Sequence, residues 1–358
     1  MSHLSRRALL AAPALLTACG PRAQESGCAA LAGKTIRWIV PYGAGGSYDT
    51  YSRLIEPPLE QILRAEIIIL NDTGASSLVG ASKIRSAPPD GRTLGFFNAP
   101  GLLAAHLLGQ AHHPDPAADF TILGRLARSQ KAIATRVQSP FRTLDELVDY
   151  QRKSGKPLLC GSTGLSSDNF INLAVVGHLL GLEQEFLFGH SGSREELLAA
   201  LRGDVDLISL NYETIQPAVE SGDLRVLLQC SDLPLSPHPA LRDVPLLAGA
   251  EGAAARRATV LGRSAAEAED EARGLMQFIG CGMVAAAPPG LPEPLRDCLR
   301  EALFAAARTP GFQDAAARSR RTLDIAAGGP AHDELIAARS SAQRFLPILR
   351  TAAGKVRN

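Results

Sequence analysis

Three short stretches of this chain gather the residue types that grip an anion. Pro41-Tyr42-Gly43-Ala44-Gly45-Gly46-Ser47-Tyr48-Asp49 follows an apolar, β-branched run and opens a helical pattern. Gly161-Ser162-Thr163-Gly164-Leu165-Ser166-Ser167-Asp168 and Gly189-His190-Ser191-Gly192-Ser193 repeat that arrangement further on. Glycine lets the backbone come close to a ligand, and a helix N-terminus leaves N–H groups unbonded and partly positive. Such loops hold a carboxylate or a phosphate without reacting with it. Taken alone, the first stretch is a tight strand-to-helix turn capped by Ser47 or Asp49. Taken together, three small-residue loops at the C-terminal ends of strands imply one cleft lined by peptide amides and hydroxyls. Asn98, at the end of another strand, adds a side-chain amide. His190 reads equally as a ligand contact and as an ordinary loop histidine.

Reactive chemistry finds less support. The chain has no G-x-S-x-G elbow, no H-E-x-x-H, no P-loop and no G-x-G-x-x-G fingerprint. Ser162 and Ser191 sit in plausible turns, but no Ser-His-Asp set can be assigned to them. Asp72 and Asp168 read as paired carboxylates or as helix caps. His112-His113 lies beside prolines, and no Cys/His cluster has zinc spacing, so neither metal nor cofactor is expected. An exported enzyme using Ser162 or His190 is the alternative to a binding protein, and a sensory binder without a permease is a third reading.

The elements that must position these loops follow an α/β order. Residues 35–40, 67–70 and 93–97 read as strands, with helices over 49–55 and 78–86 between them. Pro57-Pro58 should end or kink the first helix. The pattern restarts with strands at 157–160, 185–188, 205–210 and 224–228, and helices at 170–180 (amphipathic) and 194–202. Residues 251–270 read as a helix or a mobile surface loop, 278–287 as a strand, and 292–308 and 333–349 as helices. Strand-loop-helix repeats imply right-handed crossovers and parallel sheets. The expected organisation is residues 1–18 as signal peptide, 19–33 as linker, 34–131 as the first part of one lobe, 132–249 as a second lobe, and 250–358 as the return with C-terminal helices.

Composition narrows the partners. Of 358 residues, 46% are hydrophobic and 5% aromatic, and Lys+Arg 37 against Asp+Glu 36 leaves a formal charge of +1. Without a basic excess, nucleic acid is excluded as a partner. Arg6-Arg7 before a short apolar run resembles a twin-arginine export signal. Leu16-Thr17-Ala18-Cys19 looks like a lipobox, with Cys19 as the acylated first residue; cleavage nearer Ala23 is the plainer reading. The uncharged stretches 93–114 and 275–292 are broken by Pro, Gly and Asn and do not read as membrane helices. Membrane contact is therefore expected through the lipid alone, on a periplasmic monomer. Without Cys19, five cysteines remain, an odd number. Cys160 and Cys230 each end an apolar run and read either as a bridge between neighbouring strands or as small buried hydrophobes.

The strings Val40 to Asp49, Asn71-Asp72-Thr73-Gly74-Ala75 and Pro89-Asp90-Gly91-Arg92-Thr93-Leu94 resemble the Bug (TctC-like) family of extracytoplasmic solute-binding proteins of tripartite tricarboxylate transporters. Gly192, Leu201-Arg202-Gly203-Asp204-Val205-Asp206, Ser221-Gly222-Asp223-Leu224-Arg225, Asp243-Val244-Pro245 and Ala287-Pro288-Pro289-Gly290-Leu291-Pro292 continue it, over residues 34–345 in all. The resemblance implies a type II periplasmic-binding-protein fold: two α/β lobes, each a mainly parallel sheet flanked by helices, with the ligand cleft between them. It implies capture of a small organic carboxylate for delivery to membrane permease subunits, with no covalent step. Carried over by position, the contacts are Tyr42, Ala44, Gly45, Gly46, Ser47 and Asp49 from one lobe. The other lobe contributes Ser162, Gly164, Ser166 and His190. The chain departs from the family at Ser166 and Phe170, where Gly and His are usual, and at His190, where Tyr is frequent. Tyr48 is bulky where a small residue is usual, and Pro57-Pro58 is unusual in that helix. These departures put the ligand, not the fold, in question.

Overall fold

The computed structural model describes residues 27–75, 77–110, 112–249 and 251–357; the export signal and Cys19 lie outside the described residues. The first half begins with β1 (Thr35–Val40), α1 (Ser47–Leu63), β2 (Glu66–Asn71), α2 (Leu78–Arg85), β3 (Thr93–Asn98), α3 (Ala99–Leu107) and β4 (Thr121–Ala127). The chain then crosses into β5 (Lys131–Arg136), α4 (Leu144–Ser154), β6 (Leu158–Gly161), α5 (Asp168–Leu180) and β7 (Gln184–Leu187). α6 (Ser193–Arg202), β8 (Ile208–Asn211), α7 (Tyr212–Glu220) and β9 (Leu224–Gln229) complete that half. The return runs through α8 (Ala253–Val260), α9 (Ala265–Gly280), β10 (Met283–Ala287), α10 (Glu293–Ala307), α11 (Pro310–Arg318), β11 (Ala326–Ala327), α12 (Gly328–Ala353) and β12 (Val356–Arg357).

Among the described residues, six strands form one sheet in the order β11-β4-β10-β3-β1-β2. β1, β2 and β3 are parallel, whereas β10 runs against both β3 and β4. The alternation of a strand sends neighbouring side chains to opposite faces. Ile36, Trp38 and Val40 of β1, with Leu94 and Phe96 of β3, pack under α1 and α10, while Ile39 and Phe97 face the other way. A sheet buried on both faces explains why these strands read as continuous apolar runs.

The second half holds two three-stranded sheets, β12-β7-β6 and β8-β5-β9, linked by a parallel bridge between Cys160 and Leu207. β5 runs antiparallel to both its neighbours. It is entered straight from the other half by the three residues after β4, without the helical crossover that makes strands parallel. β12 pairs with β7, so the chain after residue 250 contributes to both halves. One apolar core joins them: Leu102 and Leu103 of α3, Phe170 and Leu179 of α5, Phe278 of α9 and Phe345 of α12 belong to a single cluster.

Several local expectations change. α1 continues through Pro57 and Pro58 to Leu63. Each proline removes one backbone bond, at a cost of about 3 kcal/mol. Burial of Tyr51, Ile55, Leu59 and Leu63 on one face, roughly 2 kcal/mol each, outweighs it. α5 is not amphipathic, because twelve of its residues, from Asp168 to Leu180, are buried between β8 and helices α8, α9 and α12. Residues 278–280 finish α9 rather than open a strand, and 251–270 fold as α8 and α9 with buried alanines. Cys160 and Cys230 are not bridged; both are buried free thiols, and Cys281 is a third. The disulfide joins Cys28 to Cys298 on α10 instead.

Candidate functional site

The loop after β1 is held open by its own acid. Asp49 accepts hydrogen bonds from the Gly45 N–H (2.8 Å) and the Asn71 amide (3.1 Å), and pairs with Arg53. Burial alone would raise its carboxyl; the hydrogen bonds from Arg53, Gly45 and Asn71 outweigh that and hold it below the usual range. Gly45 has φ +79°, a conformation that a side chain resists, so the turn needs glycine there. The Tyr42 and Tyr48 rings stack at 4.4 Å, and Tyr48 rests on Phe96. Both phenols face Asp168 across the cleft, and burial pushes them well above their ordinary value.

The opposite wall carries charge. Lys131, the first residue of β5, pairs with Asp168 at the start of α5 (2.8 Å) and donates to Asn169 Oδ1 (2.6 Å). Ser129 Oγ donates to the same Asp168 oxygen at 2.7 Å. Asn169 Nδ2 donates in turn to both oxygens of Glu196 on α6, at 3.1 and 2.9 Å. Glu196 is fully buried. Burial pushes its carboxyl up to about 8, against the pull of Asn169 and of the Lys131 charge. The floor therefore sets the Lys131–Asp168 ion pair beside a buried carboxyl whose burial favours its protonated form.

Between these walls lies a cavity of about 30 Å³, room for roughly two waters. Tyr42, Gly46, Ser47, Tyr48 and Asn98 line it from the first half; Lys131, Thr163, Ser167, Asp168, Asn169, Gly192, Ser193, Leu210 and Asn211 line it from the second. The N-termini of α1, α5 and α6 converge on it. Tyr48 OH, Thr163 Oγ1 and Asn211 Oδ1 are buried there without a hydrogen-bond partner, and buried polar groups are rarely left so.

Of the residues expected at the site, Tyr42, Gly46, Ser47 and Asn98 are brought together on the cavity wall. Ala44 and Gly45 are exposed on the outer side of the loop, and Asp49 is spent on holding it. Ser162 is buried with its Oγ accepting weakly from the Gly164 N–H (3.5 Å), outside the wall. Ser166 turns toward α3, where its carbonyl approaches Asn98 Nδ2 (3.5 Å); a Cβ on Gly101 would fall 2.0 Å from that carbonyl oxygen, so the halves touch closely there. His190 stands over Gly161 with Nε2 unpartnered, and burial lowers its pKa. Sequence reasoning missed Lys131, Asn169, Leu210 and Asn211. The one signal for Lys131 was a lysine opening an apolar strand, with Asp168 at the head of an apolar helix.

The halves meet around the cavity. The Gly43 N–H donates to the Ser191 carbonyl at 2.9 Å, and the Ser47 and Thr214 hydroxyls are 2.7 Å apart. Beyond them the Glu213 carboxylate accepts from Tyr51 OH (3.1 Å), the Thr322 N–H (2.8 Å) and Arg321 Nη1 (3.2 Å), a clasp from α7 onto the first half.

Two α/β halves closing on a shared cavity define the fold of the two-domain periplasmic binding proteins, and solved structures share it. BugD, a periplasmic binding protein, superposes with a TM-score of 0.69 at 19% identity, over 90% of this chain and 99% of that one. MatC of Rhodopseudomonas palustris, solved with malate, gives 0.68 at 22% identity over 88% and 99%. A second R. palustris protein, solved with adipate, gives 0.68 at 21% over 89% and 97%. A UPF0065 protein from the tcbD-tcbE intergenic region of Pseudomonas sp. (strain P51) is 24% identical over 253 residues, 70% of this chain and 73% of the relative. Residues 52–255, more than half of the chain, match the tripartite tricarboxylate transporter family receptor, TctC, and the chain belongs to that family. The resemblance read from the loop motifs is thus borne out. The family is one of solute-binding receptors rather than enzymes. Among the described residues no helix is long and apolar enough to cross a membrane.

Proposed function

We propose that this protein captures a small organic carboxylate between its two halves, outside the cytoplasm, and delivers it to the permease subunits of a tripartite tricarboxylate-type transporter. The observation that carries this reading is the convergence of helix N-termini, α1 and α6 among them, on a cavity whose Tyr48 and Thr163 hydroxyls lack partners. Desolvating a carboxylate is costly unless donors replace its water. Here the Tyr48 and Thr163 hydroxyls stand ready to do so, beside the positive ends of the helices. The solved relatives with malate and adipate support the same class of ligand.

At about 30 Å³ the cavity is smaller than such a ligand, so binding requires the halves to part, breaking the Gly43–Ser191 contact and the Glu213 clasp, and to close again around the ligand less tightly than here, presenting a single shape to the permease. Export with lipidation at Cys19, as a monomer held at a bacterial membrane, is the cellular setting this reading implies.

Calorimetry of the purified protein against mono-, di- and tricarboxylates, repeated on Gly46→Val, tests it. A Cβ at Gly46 meets Ser193 Oγ at 3.2 Å, so valine should weaken binding at least tenfold. Unchanged binding in that variant would sink the loop assignment. Metabolic labelling with radioactive palmitate, lost on Cys19→Ala, tests the anchor.

A further inference from the structure

The charges on the cavity floor restrict which carboxylate can be held. Among the described residues the wall contains two charged side chains, Lys131 and Asp168, and they neutralise each other at 2.8 Å. Lys131 is further committed to Asn169, and Asp168 to Ser129. Both side chains are more than nine-tenths buried, so water does little to screen them. With no unpaired ion on the wall, what remains for a ligand is the partial positive charge of helix N-termini, those of α1 and α6 and those of α3 and α7, whose N-cap residues Asn98 and Asn211 also line the cavity. The α5 N-terminus already faces the Asp168 carboxylate.

We propose, resting on the carboxylate-capture reading, that the cleft is selective for monoanions: small hydroxy- or keto-monocarboxylates, with dicarboxylates and zwitterions refused. One carboxylate is met by these helix ends and by the hydroxyl donors beside them. A second would lie against Asp168 with no cation left to meet it. An ammonium would lie against Lys131, which holds the only carboxylate on the wall. A neutral hydroxyl at the far end instead donates to the unpartnered Asn211 Oδ1, and a hydroxyl or carbonyl there accepts from Thr163 Oγ1 and Tyr48 OH. Lys131 and Asp168 are thus specificity-determining as a pair, and their effect comes from cancelling each other.

The test is calorimetry at pH 7 with lactate and 3-hydroxybutyrate as monoanions, malate and adipate as dianions, and alanine as zwitterion. The wild type should bind its best monocarboxylate at least tenfold tighter than either dicarboxylate or alanine. Asp168→Asn frees the Lys131 charge while keeping an acceptor for Ser129, and should improve dicarboxylate binding at least tenfold relative to monocarboxylate. Lys131→Met with Asp168→Asn restores neutrality and should restore the wild-type preference. A wild type that prefers malate, adipate or alanine overturns the monoanion proposal and leaves carboxylate or solute capture standing. A folded Asp168→Asn protein with an unchanged preference also overturns it. Failure of the wild type to bind any of the five, or any tricarboxylate, removes the capture reading and this proposal with it.

Discussion

The two walls of the cavity are built by opposite means. The first-half wall is neutral: its loop is kept in shape from behind by Asp49, Asn71 and Arg53, and its ligand face is two stacked tyrosines. The second-half wall carries its charges on the ligand face, in the chain Ser129–Asp168–Lys131–Asn169–Glu196. Geometry is thus fixed on one side and electrostatics on the other. Variants on the two sides should fail differently.

The largest effect is expected where a charge loses its partner. Lys131→Met leaves Asp168 buried without a cation and should cost about 3–5 kcal/mol in urea denaturation. Adding Asp168→Asn should recover most of that, because a neutral pair is tolerated. If the double variant is no more stable than the single, the two residues are not coupled as the 2.8 Å contact implies.

Glu196 should make the second half sensitive to pH. Its carboxyl is raised from 4.5 to about 8 in the fold, so between those values the native protein holds a proton that the unfolded chain has released. The stability from this group is complete below about 4.5 and is lost as pH rises through about 8, on the order of 1.4 kcal/mol per unit. Urea midpoints between pH 5.5 and 8 should fall for the wild type and flatten for Glu196→Gln. Asp49 and Asp324, whose carboxyls are lowered, act in the other direction and only in acid.

Asp49→Ala should cost about 2 kcal/mol, since the Gly45 N–H and Asn71 lose a charged acceptor, and should weaken binding of every carboxylate alike. A change in ligand preference rather than in affinity would blur the division between the walls. The smallest effect belongs to the rim. Glu213→Gln keeps the shape of the clasp but removes its charge, and should shift the balance toward the open form by about 1 kcal/mol. Small-angle scattering would record this as a larger radius of gyration, with denaturation of either half unchanged.

Much of the first wall is legible in the sequence. The apolar run of β1, the glycines after it and the helix pattern beyond are local signals, and Tyr42, Gly46, Ser47 and Asn98 fell where those signals placed them. In the second wall Thr163, Ser167, Asp168, Gly192 and Ser193 also lie in the two loops those signals picked out, but its charge pairing is not legible, because it is non-local. Lys131 opens an apolar stretch whose place as β5, between β8 and β9, only the fold sets, and Glu196 stands beside Glu195 on α6, where nothing local announces its burial. Only the folded chain sets Lys131 beside Asp168 and both near Glu196. The same holds for the cysteines: Cys28 and Cys298 are 270 residues apart, and nothing in either neighbourhood names the other.

That covalent link has a mechanical consequence. Cys28 lies at the head of the described chain, and its partner stands on α10, which packs against the six-stranded sheet. Any tension arriving through the preceding residues is delivered to one jaw only. The bridge itself makes no covalent tie to the second half.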